Sequence, residues 1–157
     1  MLTHYEYLDW PSVPENLIQE SLSFIQTQPN IFGGATNPVN VNKYELYNAP
    51  DILKSWIKSN VPLNFNDSNP FLIRIQKIVA NIAEHIDPTR DIAYNFLLVD
   101  NNAQTNWHHR DRSIIESTRF NPFRWHRLNS GVLHSVSDYK TPRIAITMQQ
   151  NVCARPS

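Results

Sequence analysis

Two triplets in this chain place an imidazole two residues ahead of an aspartate: His85-Ile86-Asp87 and His109-Arg110-Asp111. In an extended strand, residues i and i+2 project to the same face, so His-x-Asp sets the two groups side by side. An imidazole from another strand would complete a two-histidine, one-carboxylate set. Such a set suits non-haem iron(II), because it holds the ion on one face and leaves three coordination positions open. His134 is the best-placed third ligand, since it follows the turn-forming run Asn129-Ser130-Gly131 and leads into a strand-like segment. Arg143 stands nine residues further on. A strand carrying His134, a turn over residues 139–142 and a returning strand bring that guanidinium near the metal, where it can grip a carboxylate in bidentate fashion.

Spacing chooses between the triplets. From Asp111 to His134 the gap is 134 − 111 = 23 positions, and from Asp87 it is 134 − 87 = 47. Strands of ~5 residues joined by turns of ~4 need roughly 40 positions to run from an early ligand pair to a late histidine. The shorter gap also contains the poorly strand-like residues 114–121. His85, Asp87 and His134 are therefore the expected metal ligands and catalytic centre. His108, His109 and Asp111 are read as structural or substrate-facing, and Arg90 as paired with a carboxylate nearby.

The elements that must position these groups follow from periodicity. Ser12-Val13-Pro14-Glu15 has the spacing of a capping box with proline in the first turn. Leu17, Ile18, Leu22 and Ile25 then form one apolar stripe, predicting a helix to about Gln28. Residues 30–48 read as a loop with a short strand near 43–47, and a second helix fits 50–58. From Phe71 the period changes to two, with strands expected near 71–76, 91–99, 105–108, 123–128, 132–137 and 143–148. Short strands at this spacing after N-terminal helices predict a mainly β protein, an antiparallel barrel or sandwich. The chain of 157 residues has no repeat or linker and is read as one domain, with 1–70 a helical buttress and 71–150 the β core.

As a set, three segments resemble the iron(II)- and 2-oxoglutarate-dependent oxygenases, especially the aspartyl/asparaginyl β-hydroxylase branch. They are His85-Ile86-Asp87-Pro88-Thr89-Arg90 with the following strand, Trp125-His126-Arg127-Leu128-Asn129 through His134-Ser135-Val136, and Thr141-Pro142-Arg143-Ile144-Ala145-Ile146. The resemblance implies a double-stranded β-helix, a jelly-roll or cupin-like barrel. It implies His85, Asp87 and His134 as iron ligands and Arg143 as the partner of the 2-oxoglutarate C5 carboxylate. Some relatives carry a serine two residues after that arginine, where Ala145 stands here. A second contact to the co-substrate then falls to Tyr94, Asn95 or Trp107. Halogenating relatives lack the carboxylate ligand, so Asp87 argues for hydroxylation, with succinate and CO₂ as co-products.

Composition narrows the partners. Lys+Arg and Asp+Glu balance at 14 each, so there is no basic stripe and no nucleic-acid partner is expected. No run approaches the ~18 apolar residues of a membrane span, and the N-terminal MLTHYEYLDW does not read as a signal peptide. The single cysteine, Cys153, fits a reducing compartment, and the expected setting is the cytoplasm. Frequent asparagine hints at an AT-rich, phage-like genome, for which this would be the host cytoplasm. His108 to Arg112, His126 and Arg127, with Trp107, are expected to line the mouth of the site. That lining favours a polar substrate, a small molecule or peptide side chain, with hydroxylation of a peptide or free amino acid preferred. Two other functions compete: a non-catalytic structural or binding protein, such as a virion component, that keeps the barrel, and a cupin-type metalloenzyme without 2-oxoglutarate. Only three glycines and no glycine-rich His-x-His pattern rank the cupin last.

Overall fold

The computed structural model describes residues 4–34 and 37–150, so Cys153 and the reading that rests on it lie outside the described residues. Among the described residues ten strands form two antiparallel sheets. From edge to edge the larger sheet runs β1 (Tyr5–Tyr7), β8 (Trp125–Asn129), β5 (Ile92–Leu97), β10 (Arg143–Gln149), β3 (Leu72–Ile78) and β2 (Tyr44–Asn48). The smaller runs β4 (Ile82–His85), β9 (His134–Ser137), β6 (Gln104–His108) and β7 (Ile114–Thr118). From β3 onward the chain passes back and forth between the sheets, with only β6 and β7 consecutive in one of them. This winding is a double-stranded β-helix, and the protein is mainly β.

Period-two alternation gives the larger sheet two unlike faces. On β3, Ile73 and Ile75 are buried outward against the helices α1 (Glu15–Ile25) and α2 (Asp51–Asn60). Leu17, Ile18, Leu53 and Ile57 meet them there, together with Phe96, Trp125, Ile146 and Met148. The main hydrophobic core therefore lies outside the barrel. The inner face of the same strands is more polar, with Arg143, Thr147 and Gln149 on β10, Arg74 and Gln76 on β3, and Asn95 on β5 lining a cavity. Part of the barrel interior is filled by Trp107, Phe120, Leu97 and Leu128, with Tyr5 of β1 stacked on Trp107 at 5.7 Å.

Several expected boundaries move. The Ser12 capping box does not form: Pro14 occupies the cap with no side-chain bond, and the Ser12 hydroxyl donates instead to the Phe123 carbonyl at 3.2 Å. α1 stops at Ile25, because the next amides bond three residues back in a tight turn. β8 begins at Trp125 rather than 123, since Phe123 sits at φ 60°. β1, β4 and β7 were not expected, and β7 falls on residues read as poorly strand-like. Among the described residues no helix is long and apolar enough to cross a membrane.

Ile146, fully buried on β10 between β3 and β5, fills the core beneath the helices. Ile146→Ala should lower unfolding stability by about 2–5 kcal/mol. Urea titration should show a lower midpoint at unchanged slope.

Candidate metal centre and its cavity

His85 ends β4 and His134 opens β9, and the two residues face each other across that antiparallel pair. Their rings lie 4.3 Å apart between centroids. Asp87 lies just past β4, where its backbone N–H donates to the Ser130 carbonyl at 3.1 Å, so the extended path continues beyond the strand. One ligand atom from each of His85, Asp87 and His134 falls within 4.8 Å of the others.

The donor set is prepared for a cation. The Nδ1–H of His85 donates to the Ala83 carbonyl at 2.9 Å, and that of His134 donates to the Val132 carbonyl at 2.7 Å. A carbonyl only accepts, so these bonds fix Nδ1 as a protonated nitrogen and make Nε2 of each ring the one that can offer a lone pair to a metal. Asp87 gives Oδ2 to Arg90 Nε at 2.5 Å, while its Oδ1 lies 3.4 Å from His85 Nε2. Arg90 in turn donates through Nη1 to Gln149 Oε1 at 2.7 Å and weakly to Thr147 Oγ1 at 3.4 Å. Burial pushes the Asp87 carboxyl upward, but the Arg90 guanidinium outweighs it and holds the group well below the usual carboxylate range. Burial also lowers His134, to about 4, against the opposing pull of Asp87. The centre thus combines the Asp87 carboxylate, a neutral His134 imidazole and the Nε2 of His85, a set that fits a divalent ion.

The cavity beside the centre has a volume of about 340 Å³. Tyr44 reaches into it from β2 and donates its hydroxyl to His85 Nε2 at 3.1 Å. Its phenol is strongly disposed to stay protonated, through burial first and the Asp87 charge second. At the inner end of β10 lies Arg143, 5% exposed, whose guanidinium donates to Thr105 Oγ1 at 2.9 Å. Burial depresses it to about 10, and no carboxylate among the described residues pairs with it. Residues 31–34 cover another side of the cavity.

Not every expected residue arrives there. Asn95 lines the cavity, but Tyr94, its neighbour on β5, must point to the opposite face. Tyr94 stacks on Trp10 at 5.3 Å within the outer core. Trp107 is inside the barrel yet apart from the cavity, stacked on Tyr5 with its indole N–H donated to the Asn129 carbonyl at 2.8 Å. Neither can contact a ligand in the cavity. The expected mouth is also elsewhere. His109 to Arg112 form an exposed turn, His108 bonds Ser135 Oγ at 2.7 Å, and Arg127 pairs with Glu6 at 2.7 Å. His126 is sealed inside, stacked on Phe120 at 3.7 Å between centroids. Tyr44, Thr105, Thr147, Gln149 and Arg74 are cavity residues that pattern reading passed over. The inward parity of β3 and β10 was the available signal for three of them.

No protein-family model matches the sequence, and no curated protein matches it. Solved structures do. HygX from Streptomyces hygroscopicus, determined with nickel, 2-oxoglutarate and hygromycin B bound, has a TM-score of 0.62 at 7% identity, covering 96% of this chain and 84% of that one. A prolyl-4-hydroxylase from Pseudomonas putida gives 0.56 at 12% identity over 94% and 92% of the two chains. The viral collagen prolyl hydroxylase of Paramecium bursaria Chlorella virus-1, in complex with 2OG, gives 0.55 at 10% identity over 96% and 97%. At these identities the likeness establishes the fold, one shared with oxygenases that use 2-oxoglutarate.

His134→Ala should abolish stoichiometric binding of iron(II), or of nickel(II) as a stand-in, while His109→Ala keeps it; metal analysis after desalting reads the difference. The reverse pattern would give the site to the later triplet. A second expectation concerns acid. His126 is depressed to about 3 by burial, and neither ring nitrogen makes a hydrogen bond of ordinary geometry, a slight approach to the Arg124 backbone aside. His126 and His134 are neutral when folded and take up protons on unfolding. Their contribution to stability is complete above the unfolded pKa and is lost as pH falls toward the folded values. Between pH 6.5 and 5 each group removes about 1–2 kcal/mol from the metal-free protein. His126→Phe should flatten this dependence by one group's share in denaturant titrations at the two pH values.

Proposed function

We propose that the chain is an iron(II)- and 2-oxoglutarate-dependent oxygenase that hydroxylates a polar substrate. The observation that carries this reading is Arg143: a buried guanidinium beside the triad, facing a cavity, with only a neutral hydroxyl as hydrogen-bond partner among the described residues. Isolating a charge in this way costs several kcal/mol unless an anion comes to it. A diacid that reaches both Arg143 and a metal at the triad supplies that anion.

The residues divide the work. His85, Asp87 and His134 would hold the iron, and Arg143 with Thr105 would seat the C5 carboxylate of 2-oxoglutarate. Together, iron, 2-oxoglutarate and dioxygen would supply oxidative decarboxylation to succinate and CO₂, with one atom of O₂ entering succinate and the other hydroxylating a C–H bond of the substrate. Arg90 fixes which oxygen of Asp87 is offered to the ion. A metal that takes the His85 lone pair leaves the Tyr44 hydroxyl free to donate elsewhere in the cavity. Asn95, with its buried Oδ1 lacking a partner among the described residues, offers an acceptor on the same wall. Support for this reading comes from the donor set, the buried cation and the shared fold. The finer likeness to aspartyl/asparaginyl hydroxylases, with hydroxylation of an amino acid or a peptide side chain, rests on the sequence motifs alone.

The test is succinate formation from 2-oxoglutarate, with Arg143→Met as the diagnostic variant. Replacing a buried, poorly compensated charge by an apolar side chain is neutral or stabilising by about 1–4 kcal/mol. The variant should therefore melt no lower than the native protein and still bind metal. Its 2-oxoglutarate Kd should rise by tens to thousands of fold, the equivalent of ~2–5 kcal/mol for a desolvated charge pair. Unchanged 2-oxoglutarate affinity would remove this role from Arg143, and absence of both binding and turnover in the native, metal-loaded protein would favour a non-catalytic barrel.

A further inference from the structure

The cavity contains more positive charge than the metal centre and its co-substrate engage. Three guanidinium groups line it, Arg74, Arg90 and Arg143, against two carboxylates, Asp87 and Glu45. Arg90 is paired with Asp87. Glu45 accepts the Tyr47 hydroxyl at 2.6 Å and makes no ion pair among the described residues. Arg143 is assigned above to 2-oxoglutarate. Arg74 remains: it is half-buried on the inner face of β3 and makes no hydrogen bond or ion pair among the described residues. A guanidinium stays charged at any pH the protein tolerates.

Register places Arg74 relative to the other groups. It pairs across the sheet with Thr147 of β10, whereas Arg143 pairs with Ile78. The two cations are thus four residues apart along the strands, about 13 Å at ~3.3 Å per residue. A 2-oxoglutarate held by Arg143 and the triad has both its carboxylates engaged and leaves Arg74 unused. Thr147 is also the residue toward which Arg90 reaches, so Arg74 sits beside the clamp on Asp87 rather than at a remote rim. Asn95 occupies the same row, paired with Thr147 from the other side. Its Oδ1 is a buried acceptor without a partner among the described residues, while the next residue in the row, His126, is sealed from the cavity. Among the described residues one wall thus presents an unmet acceptor, a hydroxyl and an unpaired cation in sequence.

We infer that Arg74 anchors a carboxylate of the substrate, so that the cavity takes a small carboxylic or amino acid whose reacting C–H lies between Arg74 and the triad. This inference rests on the oxygenase reading. The planar fork of arginine matches a carboxylate in bidentate fashion, and Asn95 can accept an N–H or O–H from the same molecule. A cavity of about 340 Å³ that also admits 2-oxoglutarate leaves room for a molecule of that size.

The experiment uses the full chain loaded with iron(II) and 2-oxoglutarate. Succinate release is measured with the twenty free L-amino acids, their carboxamides, short dicarboxylic acids and phosphate monoesters as probes. At least one free acid should stimulate release, and its carboxamide should have a kcat/KM lower by at least about tenfold, the scale of one charge-assisted pair. For that acid, Arg74→Gln should raise KM by a similar factor and Arg74→Lys should restore part of the loss. The same ordering should appear without turnover, as calorimetric Kd values measured anaerobically. The 2-oxoglutarate Kd of each variant, which depends on Arg143, serves as the folding control. Stimulation confined to carboxamides, to phosphate monoesters or to no probe overturns the inference, as does an Arg74→Gln variant with native Kd for the stimulating acid. If the native protein binds no 2-oxoglutarate and releases no succinate, the failure lies with the oxygenase reading itself.

Discussion

Asp87 continues the path of β4 in the smaller sheet, and the contacts that fix it reach toward the larger one. Its backbone N–H donates to the carbonyl of Ser130, the residue after β8, while Arg90 donates to one carboxylate oxygen and carries the connection to Gln149 and Thr147 on β10 of the larger sheet. A triad whose members come from β4, its extension and β9 would otherwise depend only on the smaller sheet. β4 has four residues and a register irregularity, so it is a poor anchor by itself. The guanidinium makes the carboxylate part of the larger sheet as well. It also dictates which oxygen remains available, because Oδ2 is engaged and Oδ1 faces the histidines.

The fold keeps stability and chemistry in different places. Helices α1 and α2 bury the outer face of the larger sheet in the main apolar cluster, which draws Ile, Leu, Phe and Met from alternate positions of β3, β5 and β10. The intervening positions are therefore free to carry polar groups inward without breaking that core. Arg143, Thr147, Arg74 and Asn95 all use this freedom. Buried polar groups with incomplete partners are destabilising. Their concentration on one inner wall is tolerable because the apolar cluster across the sheet supports the same strands.

Much of this arrangement was legible in the chain. Alternation located β3, β5, β6, β8, β9 and β10 to within a few residues, and the 47-residue separation distinguished Asp87 from Asp111 as the partner of His134. What escaped notice has physical causes. β1 is three residues long and β4 four, too short to show a period. β7 is an edge strand with its isoleucines exposed, so burial leaves no alternation to read. Tyr94 looked like a ligand contact by residue type, but the parity that sends Asn95 inward sends Tyr94 out. Ser12 and Glu15 have the spacing of a capping box, yet a carbonyl from a distant turn claims the Ser12 hydroxyl.

Parity also explains why the mouth lay elsewhere than the charged run His108 to Arg112 suggested. His109 to Arg112 form the β6–β7 turn, while His108 is the buried last residue of β6; β7 is the outer edge of the smaller sheet, two strands removed from β9. Clustered charge in the sequence marked a solvated turn. The cavity wall instead takes single polar residues at alternate positions, each flanked by apolar ones: Arg74 between Ile73 and Ile75, Asn95 between Tyr94 and Phe96, Thr147 between Ile146 and Met148. In a barrel of this kind, an isolated polar residue within an apolar strand is the more informative signal. Placing it there costs stability unless a neighbour or a ligand meets it. Asp87 is met by Arg90, whereas Arg74 and the Oδ1 of Asn95 are met by nothing among the described residues.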